Sequence, residues 1–452
     1  YTTPLFDLNI NTLRSQKYTL GIYAHHLSSH GKLKLENDDK VFAGFADNAV
    51  SLYGSGWKNN LLFSGNIDFS ANTVYHFGYD QSVFPDSLPE FTKGDIRHNM
   101  MAIRPSFGIR SLKEDSAKLN FDIQGYYQIA SAGTNLMENS FGVKGRFNRL
   151  YEGNWLGADL GFAYFKPSQL IDSSYSAIFS FSPWFNRHSD EWTFQLGFSA
   201  EADIVGGESK FFLFPKANLQ FHVIPYKLIA WFTADGKTNI NDQLTVFGEN
   251  PFVLSSLKIR NSHERYSISG GLRGSLGDFS FNAGAGYSRV EKMHFYVNDS
   301  ANGWGNYFNV LYDDVFITRL FGELGYNLDE KLTVLAKVSY YQYTLDSLQY
   351  AYHKSPLEGS VSVTYNLHDK IIGKFEVFAA GKAFSTSNLN PGILPTREIK
   401  PWMDINLGLE YRYTKVLSGF VQFNNLSATH YQQWYNYPVQ RFNLMVGFTY
   451  AL

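Results

Sequence analysis

Cysteine is absent from all 452 residues, which excludes a disulfide framework and any thiolate-held metal or cluster. Charge is scarce. Asp, Glu, Lys and Arg make up 18% of the chain, below the usual quarter, and the net charge is only -2. Neither a nucleic-acid groove nor a polybasic membrane anchor fits that balance, so no nucleic-acid partner is expected. Long hydrophobic runs are missing too: no window approaches the length of uncharged apolar sequence that a membrane-crossing helix needs. The sequence opens on Tyr1 rather than on a Met with a charged, apolar leader, and any export signal is expected outside it.

What the chain has in excess is aromatic: 30 Tyr, 39 Phe and 8 Trp bring the aromatic share to 17%. They fall into a pattern of period two. In DINLGLEYRYTKVLSGFVQF (404–423), Ile405, Leu407, Leu409, Tyr411 and Tyr413 alternate with Asp404, Asn406, Gly408, Glu410 and Arg412. Successive side chains of an extended strand point to opposite faces, so one face is apolar and the other polar. The pattern pauses at Thr414-Lys415 and resumes. Similar short breaks fall at 13–17, 58–59, 113–116, 152–154, 188–190, 225–226, 277–278, 329–330 and 368–369. Each is flanked by two alternating runs. The connections between breaks are long, irregular and rich in Asn, Asp, Gly and Pro, as at 29–42, 80–94, 234–264, 292–313 and 383–401.

Short turns at one end and long loops at the other are the asymmetry of an outer-membrane barrel. The fold class expected is therefore all-β: a single large antiparallel transmembrane β-barrel spanning residues 1–452, with periplasmic turns and extracellular loops. Ten breaks imply twenty strands, and 442–452 adds one more. The first and last runs both descend, so the even strand number of bacterial barrels leads to 22, with one strand expected upstream of Tyr1.

Charge sorts between the two faces. Leu119, Phe121, Ile123, Phe194, Leu196, Phe198, Leu320, Leu324, Tyr326, Val361, Val363 and Tyr365 are expected in lipid. Asp122, Glu201, Arg319, Glu323, Lys337, Glu358, Lys374, Glu376, Glu410 and Arg412 are expected to line a watery lumen, because a charge facing lipid costs ~2–4 kcal/mol near the midplane. Tyr18, Tyr164, Trp192, Tyr365 and Tyr413 are expected near the tight turns as an aromatic girdle.

The C-terminal stretch FNNLSATHYQQWYNYPVQRFNLMVGFTYAL resembles the end of a TonB-dependent receptor barrel. Asn424, Asn425 and Leu426 close one strand. Tyr431, Trp434, Tyr435, Tyr437 and Pro438 form the loop, and Arg441, Phe442, Gly447 and Tyr450 mark the last strand. Leu444, Val446, Phe448, Tyr450 and Leu452 resemble the signal by which the barrel-insertion machinery recognises its clients, with Leu in place of the usual terminal Phe. The aromatic-rich style is similar to Bacteroidota members. The resemblance implies 22 strands, and in that family a plug domain and a TonB box precede the barrel; residues 1–452 contain no plug.

Chemistry-bearing clusters are weak. His25 and His26 are adjacent on a strand and point apart, so with His30 they make no metal site. Glu36, Asp38, Asp39 and Asp299 near Asn302 lack the ordered spacing of a calcium loop. His188-Ser189-Asp190 falls in a tight turn. The glycine run 282–286 has no helix after it, and its small residues relieve crowding on a curved strand. No enzymatic activity, cofactor or metal is expected. The function expected is a plugless barrel subunit of a larger outer-membrane complex for nutrient capture, protein insertion or export. The alternative is energised uptake of a bulky solute, with a plug lying upstream. Expected partners are outer-membrane lipid and lipopolysaccharide, the insertion machinery, and protein at the extracellular loops or in the lumen. Phe247, Phe252 and Leu394 suggest loops that need such a cover.

Overall fold

The computed structural model describes residues 3–12, 15, 17–35, 38–79, 92–112, 118–132, 136–168, 174–225, 227–257, 259–299, 305–386 and 396–451. One antiparallel sheet of 21 strands takes up most of them. Each strand pairs with the next in sequence, from Leu5–Asn11 through to Asn443–Tyr450. Among the described residues these first and last strands are not paired with each other. Most strands run 11 to 15 residues, enough for a tilted crossing of the bilayer.

The strands flanking the ten tight connections expected from the sequence meet at one end of this sheet. Several are short enough to need left-handed backbone: Asn59 (φ 56°), Glu152 and Gly153 (48° and 77°), and His368 and Asp369 (51° and 54°). Such turns match the right-handed twist of the strands they join. The opposite end is not uniformly long. Gly206 and Gly207, at φ 60° and 95°, close a two-residue hairpin between Trp192–Val205 and Glu208–Ile224. The connection at 292–313 also differs from expectation. Its flanks extend the strands to 21 and 22 residues, Phe279–Asp299 and Tyr307–Leu328, which carries this hairpin well past the bilayer. Strand likewise reaches into 234–264, as Leu228–Asn239 and Ser262–Leu276.

The apolar face of the sheet is exposed all round: Phe107, Leu196, Leu324 and Phe448 are 56%, 47%, 63% and 76% accessible. Such a band is stable only in lipid, so this is the sheet of a membrane-embedded β-protein. Tyr18, Trp192, Tyr365 and Tyr413 lie beside tight turns, whereas Tyr164 sits near the loop end of Asn154–Pro167 and does not belong to that girdle. The run 282–286 is strand, as its small residues imply: a Cβ on Gly284 would stand 2.9 Å from the Phe321 ring, so this glycine lets an aromatic lie flat across the sheet.

Near the loop end the regular ladder breaks on three adjacent strands at one level. Register shifts fall at Asp235/Lys237, Glu264/Tyr266 and Val290/Met293. Bulges bend a strand and re-aim its side chains, and above this belt the structure changes character.

Candidate functional site

The connection 240–261 does not stay over its own strands. Asp242 caps a short helix, α1 (Gln243–Glu249), its carboxylate accepting from the Thr245 N–H at 2.8 Å. The helix lies against strands Arg97–Ser111 and Asn120–Ala132, although 137–151, 154–167, 176–188, 192–205 and 208–224 intervene along the sheet. It reaches them through one face. Gln128 donates to Asp242 at 3.3 Å, and Glu138 accepts from the Gln243 N–H at 3.3 Å. Phe247 is buried between Met100 and Ala132 and stacks on His98 at 5.3 Å.

Around the helix the connections interlock. Leu33, Val41, Phe77, Val253, Phe308 and Tyr437 share one apolar cluster, and Phe252 stacks on Tyr437 at 3.7 Å. Backbone bonds tie Phe252 and Leu254 to Phe308, and Asn298 to Thr386. Phe247 is therefore covered by the wall strands and Phe252 by other connections of the same chain, which corrects the expectation that these two await a partner. Leu394 lies outside the described residues.

Polar groups pin the assembly. Glu249 accepts from His294 Nε2 at 2.9 Å, Tyr296 OH at 3.0 Å and Lys354 Nζ at 2.9 Å. Burial alone would raise its pKa, but hydrogen bonds from His294 and Lys354 hold the carboxyl well below the usual range. His353 donates from Nδ1 to the Tyr296 carbonyl at 2.9 Å and accepts at Nε2 from the Tyr435 N–H at 3.3 Å. That fixes the neutral tautomer, and burial lowers its pKa to about 4. His76, buried against His98, is lowered to about 3 by burial and by that neighbour.

The register puts all ten charged positions singled out from the sequence on the same face of the sheet. Asp122 stands opposite Arg146, and Arg146 opposite Asp159. Glu201 lies opposite Ser180, Arg319 opposite Tyr341, and Glu323 opposite Lys337. Glu358 faces Ser339, Glu376 faces Ser362, and Lys374 faces Thr364. Glu410 and Arg412 continue the row opposite Phe420 and Ser418. Gln128 and Glu138 belong to this same face, so it is the face that α1 touches. Several of the ten pair among themselves: Lys337 with Glu323 at 3.6 Å, Lys374 with Glu376 at 2.9 Å, Arg412 with Glu410 at 3.4 Å. Others bond to neighbours outside the set, Glu201 to the Thr238 N–H and Arg319 to Ser339.

Exposure along this face is graded. Toward the tight turns Lys337, Lys374 and Arg412 are about half exposed, at 49%, 54% and 45%. Toward the loops Asp203 and Glu138 are buried. Sequence reasoning missed Arg146 and Asp159, paired at 2.9 Å, although both occupy polar positions of the alternation. It also missed Glu249, His294 and Lys354, which no local pattern connects. His25 and His26 do point apart, one to Asp7 and the other to Asn48. Leu444, Val446, Phe448 and Tyr450 line the exposed apolar face of the last strand; Leu452, Glu36, Asn302 and 113–116 lie outside the described residues.

No family model matches the sequence, and no curated protein does. Solved structures do match its fold. The FrpB iron transporter from Neisseria meningitidis aligns with a TM-score of 0.75 at 10% identity, over 99% of this chain and 79% of that one. The siderophore receptor PirA from Acinetobacter baumannii aligns with a TM-score of 0.74 at 10% identity, over 98% and 76%. The ferric-catecholate import receptor Fiu from E. coli K12 gives 0.68 at 9% identity, over 98% and 79%. The fold is that of the TonB-dependent receptor barrels.

Proposed function

We propose that this chain is the barrel of an outer-membrane uptake receptor that admits a bulky solute through a mouth gated by its own loops. The observation that carries the reading is α1, held by residues of 240–261 against strands Arg97–Ser111 and Asn120–Ala132. Because α1 meets those strands on their charged face, through Gln128 and Glu138, the connection runs over the interior rather than round the outside. The named neighbours are transporters and receptors, which supports uptake over catalysis.

On this reading the charged face is the lumen wall. Asp122, Glu201, Arg319, Glu323, Lys337, Glu358, Lys374, Glu376, Glu410 and Arg412 line it as mixed, mutually compensating charges, with no single sign to select an ion. Leu444, Val446, Phe448 and Tyr450 form the apolar comb presented to the insertion machinery.

Because the chain lacks native cysteine, one disulfide can test the gate without background. Ala132→Cys with Leu244→Cys would lock α1 to the wall beside Phe247. Cells bearing the oxidised variant, offered a panel of peptides, oligosaccharides and metal chelates, should fail to accumulate the solute that wild type takes up. Reductant should restore it. Equal accumulation in both states would end the gating reading.

A second reading, a subunit of a larger outer-membrane complex, draws on the exposed polar wall near the tight turns. Lys337, Lys374 and Arg412 there could receive a polypeptide. Gentle detergent extraction followed by size analysis and mass spectrometry decides it: a stoichiometric second polypeptide supports the reading, and a lone chain removes it.

A further inference from the structure

Two histidines lie side by side under the connection 240–261. His76 follows strand Leu61–Tyr75, His98 stands near the start of Arg97–Ser111, and their rings meet edge to face at 5.2 Å. The outward positions at this level are polar: Arg97 donates to the Asn99 side chain at 3.1 Å. The exposed apolar side chains of this strand begin only at Met101 and Ile103, so the pair sits above the lipid band.

The connection rests on both rings. Phe247 stacks on His98, and Ser255 Oγ shares a hydrogen bond with His98 Nδ1 at 2.8 Å. Phe252 meets His76 edge to face at 6.2 Å, and Tyr307 covers the same ring at 4.2 Å. His98 Nε2 and both ring nitrogens of His76 are buried without a hydrogen-bond partner. A neutral imidazole tolerates such a seat at modest cost, whereas a buried cation needs a counter-charge.

The surrounding elements direct their charges elsewhere. Asp95 accepts from Thr92, Asp39 from the Tyr79 hydroxyl, and Glu249 from His294, Tyr296 and Lys354. Lys93 lies over the Phe42 ring. On the long hairpin, Asp299 stands opposite Tyr307 in the ladder. His353 packs edge to face on Phe308. No carboxylate is among the principal influences on either ring; burial dominates at both, and His98 adds to it at His76.

We propose that the His76–His98 pair is a proton-operated latch: with both rings neutral it seats Phe247, Phe252 and Ser255, and a proton on either ring unseats them and lifts 240–261 from the wall. The latch deepens the gate reading and rests on it for its biological meaning, but the lifting itself can be measured without transport. Both groups titrate low in the packed state and near ~6.5 once water reaches them. The lifted state therefore binds more protons below that value, and the packed state loses stability as pH falls through it. At about pH 5.5 each ring favours lifting by about 10-fold, and the two together by about 100-fold.

Hydrogen exchange of 243–255 in purified, detergent-solubilised protein, corrected for intrinsic pH dependence, reads the lifted population. In wild type it should rise about 100-fold between about pH 7.5 and about pH 5.5. His76→Phe alone and His98→Gln alone should each leave a rise of about 10-fold, and the double variant almost none. His353→Gln should keep the full response. Should the double variant already be lifted at the higher pH, the two single variants decide. A flat wild-type profile, or a full response in either single variant or in the double variant, overturns the latch. If the latch responds as expected but the disulfide leaves accumulation unchanged, the gate reading falls and the latch stands, so the two fail separately.

Discussion

Replacing Phe247 with Ala should open the mouth without unfolding the barrel. Helix α1 has only seven residues, too few to persist in water on propensity alone. Its order must come from packing, and Phe247 supplies the main contact. Its side chain is 5% exposed and lies against Met100, Ala132 and the His98 ring. Truncating a buried Phe to Ala costs ~3–5 kcal/mol in a well-packed core. Taking the lower figure, because a loop can partly collapse into the gap, ~3 kcal/mol corresponds to a factor of roughly 100 in the open population. Hydrogen exchange read by mass spectrometry reports that population directly. Amides of 243–250 should exchange about 100-fold faster in the variant, or reach the fully open limit if the lid is less stable than the loss. Strand amides such as those of Leu332–Leu345 should keep their protection. If 243–250 stay protected, the helix is held by something other than Phe247. If the whole sheet loses protection together, lid and barrel are one cooperative unit and a separate gate is ruled out.

Acid should loosen the neighbouring connection 346–356, whose Lys354 bonds to Glu249 at the end of α1. His353 is neutral when packed, with a pKa of about 4, against ~6.5 in an open loop, so the open state binds more protons between these values. Its contribution is complete above pH ~6.5 and falls by up to ~1.4 kcal/mol per unit as pH drops toward 4. Exchange in 346–356, corrected for its intrinsic pH dependence, should therefore accelerate across that window, and a flat profile would contradict the packed neutral tautomer. Topology has a direct check in intact cells. Lys400→Cys should label with an impermeant maleimide and Lys415→Cys should not; the reverse would invert the barrel. On the two faces of one hairpin, Leu409→Arg should lower the heat-modifiable folded fraction, since a cation in lipid costs ~2–4 kcal/mol near midplane, whereas Gln422→Arg should fold normally. Equal folding of both would refute the face assignment.

The barrel was legible because its code is local and repeated. Leu407 and Leu409 declare a lipid face through their two-residue spacing, and Glu152-Gly153 or His368-Asp369 declare a turn in two residues. Each such signal recurs from strand to strand, so a misreading at one place is corrected by the next. The exception shows the limit: Gly206-Gly207 carries the same turn chemistry, but sits at the loop end. Glycine pairs specify how the chain turns, whereas strand order specifies at which end. Tyr164 was misplaced for a related reason, since its aromatic character says interface but not which interface.

The mouth was illegible because its contacts join residues with no sequence relation. Glu249, His294 and Lys354 meet only after 21 strands have set their positions, and nothing in Glu249's neighbourhood distinguishes it from a solvated loop carboxylate. Phe252 and Tyr437 stack across 185 residues. Exposed aromatics in long loops thus support two opposite inferences, a missing partner or an internal core, and only the fold decides between them. Here the decision has a mechanical consequence. The tight-turn end of the charged face keeps Lys337 and Lys374 half exposed, while the loop end packs its charges beneath α1. A barrel wall laddered by 21 strands cannot yield locally, because moving one strand breaks hydrogen bonds on both its sides. The connections above the bulge belt can. On the uptake reading proposed above, movement that admits a solute would therefore begin at 240–261 and the groups that hold it, Phe247 by packing and Glu249 by charge.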